Sequence, residues 1–381
     1  INGGAAWPRD AENRHSAEAY YKAVDPDDRR TTLNAWLALA GFTNEQGRLR
    51  PEARDGEDTD TERFSHATYV NNFDLGFGRD MYIRWDTQTG NVYSYVVNYP
   101  TLETALVKTA RDGTRKYLLT LYDGNQIESV LIPEKKHQTI CLSTQVGCAM
   151  GCTFCLSGKN GLIRNLTAAE IVNQICTIKN DCLDKDTTTN IVFMGMGEPL
   201  ANFENTLKAL HILTDPLGFH FPCRRITVST AGLTPQIKRL GQELPVNLAI
   251  SLNSATNAQR DVLMPINKKH PLDKLIKSAS QAILPPGKHV TFEYILMDGI
   301  NDSLEDARAL ASLLRGVRCK INLIPFNEHE GASFRKPATQ TVDQFRQYLS
   351  SQHFTVIVRY SKGTTIAAAC GQLSCGGKSE S

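Results

Sequence analysis

Gln138-Thr-Ile-Cys141-Leu-Ser-Thr-Gln-Val-Gly-Cys148-Ala-Met-Gly-Cys152-Thr-Phe-Cys155 opens on a short strand pattern and ends on three cysteines at spacings of four and three. An apolar run passing into a glycine-punctuated loop is how a parallel strand delivers a loop to one end of a sheet. Three thiols on one loop can face a single metal centre. A structural zinc recruits a fourth Cys or His, for which Cys141 or another cysteine is a candidate. An iron–sulfur cube ordinarily uses four cysteines, so three close ligands would leave one iron open to a substrate or cofactor. Spacing alone leaves both centres open.

Downstream, strand patterns recur at 138–144, 190–196, 225–230, 246–252, 289–297, 319–326 and 354–360, with amphipathic helical segments such as 168–180, 203–214, 302–315 and 341–351 between them. Thr167-x-x-Glu170 reads as a capping box at the start of the first of these helices. Repeated β-then-α units predict an α/β fold with a parallel sheet and outer helices, because parallel neighbours need crossover connections. Six or seven strands predict an incomplete barrel. Polar motifs close several of them: Met194-Gly-Met-Gly-Glu198-Pro, Val228-Ser229-Thr230, Ser251-Leu252-Asn253 and Ile324-Pro-Phe-Asn327. In a parallel barrel such strand ends converge on one mouth.

Upstream the pattern differs. Tyr117–Tyr122, an Asp123-Gly124 turn and Ile127–Ile132 form one expected hairpin, and Tyr82–Trp85 with Val92–Val97 another. Tyr20–Trp36 could carry an amphipathic helix, while Arg48–Glu62 is charged and poor in apolar residues. The chain of 381 residues carries a net charge of +2, with a balance of −4 over residues 1–111 and +6 over 112–381. Trp7, Trp36 and Trp85 are the only tryptophans and all ten cysteines follow residue 140. Two regions of different character therefore join near residue 110. No run of about 18 apolar residues is present to span a bilayer. Clustered cysteines in a chain this long point to metal or redox chemistry in a reducing compartment, the cytoplasm, rather than to a disulfide scaffold.

The segment from Asp112 to about Leu373 resembles the RlmN/Cfr group of radical S-adenosylmethionine (SAM) adenosine methyltransferases. The cysteine loop with Phe154 before its last thiol carries the likeness to the superfamily. The group itself is matched by Ile127-Glu-Ser-Val-Leu-Ile-Pro133, Cys141 to Cys148, Gly158 to Arg164 with Asn165-Leu-Thr167, Met264-Pro-Ile-Asn-Lys268 and Ala368-Ala-Cys-Gly-Gln-Leu373. The resemblance implies a partial (β/α)6 radical SAM barrel over 137–375, a β-hairpin extension over 111–136, and an unrelated α+β segment over 1–110, a possible fusion. Residues 1–110 do not resemble the small helical accessory domain usual at the start of that family.

The resemblance also assigns roles. Cys148, Cys152 and Cys155 would hold a [4Fe-4S] cluster whose open iron binds SAM. Gly197, Glu198, Ser229, Ser251, Leu252, Asn253 and Asn327 would contact SAM, with Asn253 standing where that motif commonly has histidine. Cys370 would carry a methyl group as S-methylcysteine, Glu128 would accept a ring proton, and Cys141 would resolve the protein–RNA adduct, leaving a disulfide. Two SAM would be consumed per turnover. Strand alternation alone reads Glu128 as an outward-facing carboxylate, and Cys141 alone reads as a packed strand thiol. Cys176, Cys182, Cys223, Cys319 and Cys375 match no functional position.

The implied reaction is methylation of adenine C2 in 23S ribosomal RNA and transfer RNA. The alternatives are C8 methylation, disfavoured by Val146 where that branch tends to carry cysteine, and a non-catalytic zinc-stabilised RNA-binding module. RNA, a one-electron donor such as flavodoxin or ferredoxin, no membrane, and a monomer complete the expectation. Candidate phosphate contacts are Lys135-Lys136, Arg224-Arg225, Lys268-Lys269, Arg335-Lys336 and Arg359 with Lys362.

Overall fold

Val92-Tyr-Ser-Tyr-Val-Val-Asn98 has the β-branched and aromatic composition of a strand, and it pairs as one. The structure is a computed structural model that describes residues 69–74, 79–85, 92–98, 102–159, 161–181, 187–215, 219–329, 332–369 and 371–373. The chain divides into two compact units, Ile1–Thr101 and Leu102–Ser381. In the first, β1 (Tyr69–Asp74), β2 (Arg79–Trp85) and β3 (Val92–Asn98) form an antiparallel sheet. Trp85 lies opposite Val92, as the expected hairpin requires. The helix expected at Tyr20–Trp36 and the loop at 48–62 lie outside the described residues.

The second unit begins with an antiparallel run, β4 (Glu103–Thr109), β5 (Arg115–Thr120) and β6 (Gln126–Pro133). It joins β7 (Gln138–Cys141) through the antiparallel β6–β7 pair. Pairing of β4 with β5 starts this unit at Leu102, upstream of the composition change near residue 110. After β7 the chain makes a small hairpin, β8 (Gln145–Gly147) and β9 (Leu162–Asn165), around the cysteine loop. It then runs parallel through β10 (Thr189–Phe193), β11 (Ile226–Thr230), β12 (Asn247–Ser251), β13 (Val290–Leu296), β14 (Cys319–Pro325) and β15 (Thr355–Val358). The sheet order is β15-β14-β13-β12-β11-β10-β7-β6-β5-β4, with every pair from β7 to β15 parallel. All seven strands read from the sequence are present, in a parallel sheet left open as a partial barrel.

Helices follow from apolar spacing. The first is a short turn in the cysteine loop, α1 (Leu156–Lys159), and the first long one is α2 (Ala168–Asp181). Ile171, Val172, Ile175 and Ile178 of α2 are fully buried, one stripe at helical period. Its capping box is closed: Glu170 N donates to Thr167 Oγ1 at 3.1 Å and Thr167 N donates to Glu170 Oε2 at 2.8 Å. The others are α3 (Phe203–Thr214), α4 (Thr234–Glu243), α5 (Asn257–Leu263), α6 (Leu272–Ser280), α7 (Leu304–Leu313) and α8 (Thr339–Ser351). No helix among the described residues is long and apolar enough to cross a membrane.

Candidate active site

The three cysteines sit on a loop that its neighbours shape closely. Cys148 N donates to Gly161 O at 2.8 Å, closing the base of the β8–β9 hairpin. Gly147, at φ +77°, permits that closure, since a Cβ there would overlap the Gly161 carbonyl. Thr153 N donates to Leu263 O at 3.1 Å, and Phe154 is buried against Ala231, Leu263, Met264, Met297 and Phe326. The aromatic before the last cysteine is thus the anchor of the loop, leaving the thiols free to face a pocket. Cys148, Cys152 and Cys155 line that pocket together with Gly197, Glu198, Ser229, Thr230, Ser251, Asn253, Glu293, Ile324 and Gly371. Its walls come from the ends of β10, β11, β12, β13 and β14, the mouth predicted for a parallel barrel.

Glu198 is buried and lines the same pocket as the thiols. Its carboxylate accepts from Leu200 N at 3.0 Å and Ala231 N at 2.6 Å. Burial still dominates and pushes its pKa up to about 7. Gly197 makes this placement possible: at φ +98° a Cβ would lie 2.5 Å from Gln145 Cβ, while Gln145 Oε1 accepts from Glu198 N at 2.8 Å. Burial likewise pushes Cys148 up to about 12 and Cys152 well above the ordinary thiol range. The pocket thus disfavours negative charge until a cationic partner enters.

That chemistry fits an iron–sulfur cluster with a SAM ammonium group. No three His, Cys, Asp or Glu among the described residues converge tightly enough to hold a single ion. Cys141, one candidate for a fourth zinc ligand, does not line this pocket.

Asn253 is fully buried, at φ +56°, a conformation asparagine tolerates. Its Oδ1 accepts from Ile295 N at 2.8 Å and its Nδ2 donates to Met264 Sδ at 3.2 Å, so its amide braces the rim. Leu252 and Asn327 do not line the pocket. Leu252 is buried and bonds through its backbone to Glu293 and Arg260, and Asn327 Nδ2 donates to Ser361 Oγ at 2.9 Å.

Two residues at the site were missed in sequence. Glu293 is a buried carboxylate within the apolar β13, whose burial raises its pKa; a charge inside Val-Thr-Phe-Glu-Tyr-Ile-Leu was the available signal. Arg260 is fully buried and donates to Leu252 O, Asn267 Oδ1, Ala231 O and Ser251 O, tying the ends of β11 and β12 together.

Cys141 lines a second cavity with Met194, Arg359, Tyr360, Lys362, Ala368, Ala369 and Leu373. Cys370, Cys182 and Cys375 lie outside the described residues, but the neighbours of position 370 are placed. Ala369 lines the Cys141 cavity and Gly371 the three-cysteine pocket. Gly371 O accepts from Leu156 N at 2.9 Å, and Leu373 O from Ser157 Oγ at 2.6 Å. Glu128 does not face outward. It is buried on β6, and its Oε1 accepts from Lys116 Nζ at 2.7 Å. Of the five basic pairs picked out in sequence, Arg359 with Lys362 is the one lining the Cys141 cavity.

Residues 142–311 match the Radical SAM superfamily. The chain is 54% identical over 273 residues to the dual-specificity RNA methyltransferase RlmN of Geobacter sulfurreducens, covering 72% of this chain and 75% of that one. It is 54% identical to its counterpart in Syntrophobacter fumaroxidans, covering 69% and 77%. The crystal structure of a radical SAM methyltransferase from Sphaerobacter thermophilus superposes with a TM-score of 0.69 at 44% identity, covering 71% of this chain and 81% of that one.

Proposed function

The chain belongs to the RlmN family of radical SAM RNA methyltransferases, and from that membership we propose that it methylates C2 of an adenine in both 23S ribosomal RNA and transfer RNA, with Cys370 as the methyl carrier. One observation carries the reading. The residues on either side of position 370 line two different cavities, one holding Cys148, Cys152 and Cys155 and the other holding Cys141.

An adenine ring carbon is too weak a nucleophile to displace the methyl group of a sulfonium, and a thiolate is not. The Cys370 thiolate therefore takes the methyl of one SAM, releasing S-adenosylhomocysteine. Cys148, Cys152 and Cys155 hold the cluster, with Glu198 toward the SAM ammonium group. When bound, such a cluster would supply the one electron needed to cleave a second SAM to methionine and the radical that takes hydrogen from the S-methyl group, and would be the acceptor for the electron released when the adduct regains aromaticity. Glu128 accepts the ring proton displaced by the new carbon–carbon bond. The Cys141 thiolate then attacks Sγ of Cys370. The sulfur–carbon bond breaks with its electron pair on the methylene carbon, which takes a proton to become methyl. A disulfide remains, and an external thiol reductant resets it. A low-potential flavodoxin or ferredoxin is the fitting electron donor, and the monomer is the working form.

Step-resolved mass spectrometry tests this reading. With SAM alone, the peptide containing Cys370 should gain one methyl group, and C370A should gain none and make no product. C141A should accumulate a covalent protein–RNA adduct. Nucleoside analysis of the product should show 2-methyladenosine; 8-methyladenosine would assign the other specificity, and an active C370A enzyme would exclude the carrier altogether.

A further inference from the structure

Lys116 lies on β5 beside the strand that carries Glu128, whose register partner is Leu118. Its side chain is only 10% exposed. An ammonium withdrawn from water is costly unless its donors are satisfied by a charge or by strong acceptors. Here Nζ donates to Glu128 Oε1 at 2.7 Å and to the backbone oxygen of Ala367 at 3.1 Å. The second acceptor is three residues ahead of Cys370 in the chain. We propose that Lys116 is a positioning residue of the methyl-transfer site, holding the Glu128 carboxylate and the segment that leads to Cys370 in one frame. The proposal rests on the reading above of Glu128 as proton acceptor and Cys370 as carrier.

The surrounding contacts favour this over an ordinary buried ion pair. Ala367 has φ +51°, a left-handed conformation that is costly for an alanine. It caps the short turn Thr364–Ile366, and that conformation aims its carbonyl at Lys116. The same segment is fastened to the antiparallel extension at two further points. Gly363 N donates to Asp112 Oδ2 at 2.9 Å, and Lys362 Nζ donates to Pro133 O at 2.7 Å and pairs with Glu134 at 3.0 Å. Those two ties hold the chain alone. Lys116 is the tie that also reaches Glu128. A carboxylate that must meet a proton on a base bonded to Cys370 needs its position fixed relative to that cysteine, because small misplacements of a reacting group are costly in rate.

The test follows K116M, K116R and E128Q in the full-length, cluster-loaded enzyme through three readouts: methyl on Cys370, protein–RNA adduct, and released methylated RNA. K116M should load methyl to the wild-type extent, lose about tenfold or more in product release, the loss of one charge-assisted hydrogen bond, and accumulate adduct. K116R, which keeps the charge, should recover most of the release. The proposal is overturned if K116M releases product at the wild-type rate, if it fails at methyl loading, if release falls without adduct, or if K116R behaves as K116M does. The E128Q arm separates the two ideas. Product release by E128Q at the wild-type rate removes Glu128 as base, whereas an adduct in E128Q without one in K116M removes Lys116 alone.

Discussion

Glu198 combines full burial with two backbone donors, and the balance between them sets its behaviour. Its folded pKa of about 7 lies above the ordinary 4.5, so the folded cofactor-free protein holds this proton more tightly than the unfolded chain does. The sign follows from linkage: this group's contribution to stability is present below pH 4.5 and is lost as pH rises through about 7, a change on the order of 3 kcal/mol. Urea titrations of wild type and E198Q should differ by that slope between these limits, the neutral amide lacking it; parallel pH profiles would mean the carboxylate is solvated. On the proposed role of Glu198 as partner of the SAM ammonium group, the same variant should weaken SAM binding by roughly tenfold to a hundredfold, measurable by calorimetry. Glu198 was legible because it closes a strand in a glycine-flanked motif. Arg260 and Lys116 were not: each acts through partners on other elements, which one-dimensional spacing cannot display.

At the scale of elements, the entry to α2 links helix start, hairpin and sheet. Glu170 is fully buried and serves the capping box while accepting both ends of the Arg164 guanidinium, at 2.9 and 2.8 Å. Arg164 on β9 also donates to Asp123 Oδ2 at 2.6 Å in the β5–β6 turn, and this guanidinium holds the Asp123 carboxyl below the usual carboxylate range. T167A removes a cap and should cost about 1 kcal/mol. E170A removes the cap partner and leaves the partly buried Arg164 with Asp123 as its remaining carboxylate, so it should cost about 2 kcal/mol, more than T167A. Chemical denaturation of both variants checks the ratio; equal losses would show that Arg164 finds water instead. The capping box was readable because its two residues are three apart. The arginine was not, since β9 has only four residues, three of them exposed, and lacks any alternating pattern. Likewise β4 is exposed throughout, so no period-2 signal marks it, and only its pairing with β5 reveals it as the first strand of the larger unit.

For the molecule as a whole, composition separates the two units in a way an experiment can use. Trp7, Trp36 and Trp85 all fall within Ile1–Thr101, whereas the three-cysteine pocket, Glu128, Lys116 and Cys141 fall within Leu102–Ser381. The larger unit has its own ten-stranded sheet and its own helical cover, with buried apolar residues from Leu102 to Leu373. A unit that buries its apolar surface internally unfolds on its own terms. Tryptophan emission therefore reports the first unit alone, and far-UV circular dichroism reports mainly the second. In urea the two signals should follow separate transitions. Removing residues 1–101 should abolish tryptophan emission, leave the unfolding free energy extrapolated from the dichroism transition unchanged within the roughly 10–15% uncertainty of that extrapolation, and preserve methyl loading of Cys370. A truncated chain that melts earlier, or that no longer takes up methyl, would show that the first unit stabilises the barrel.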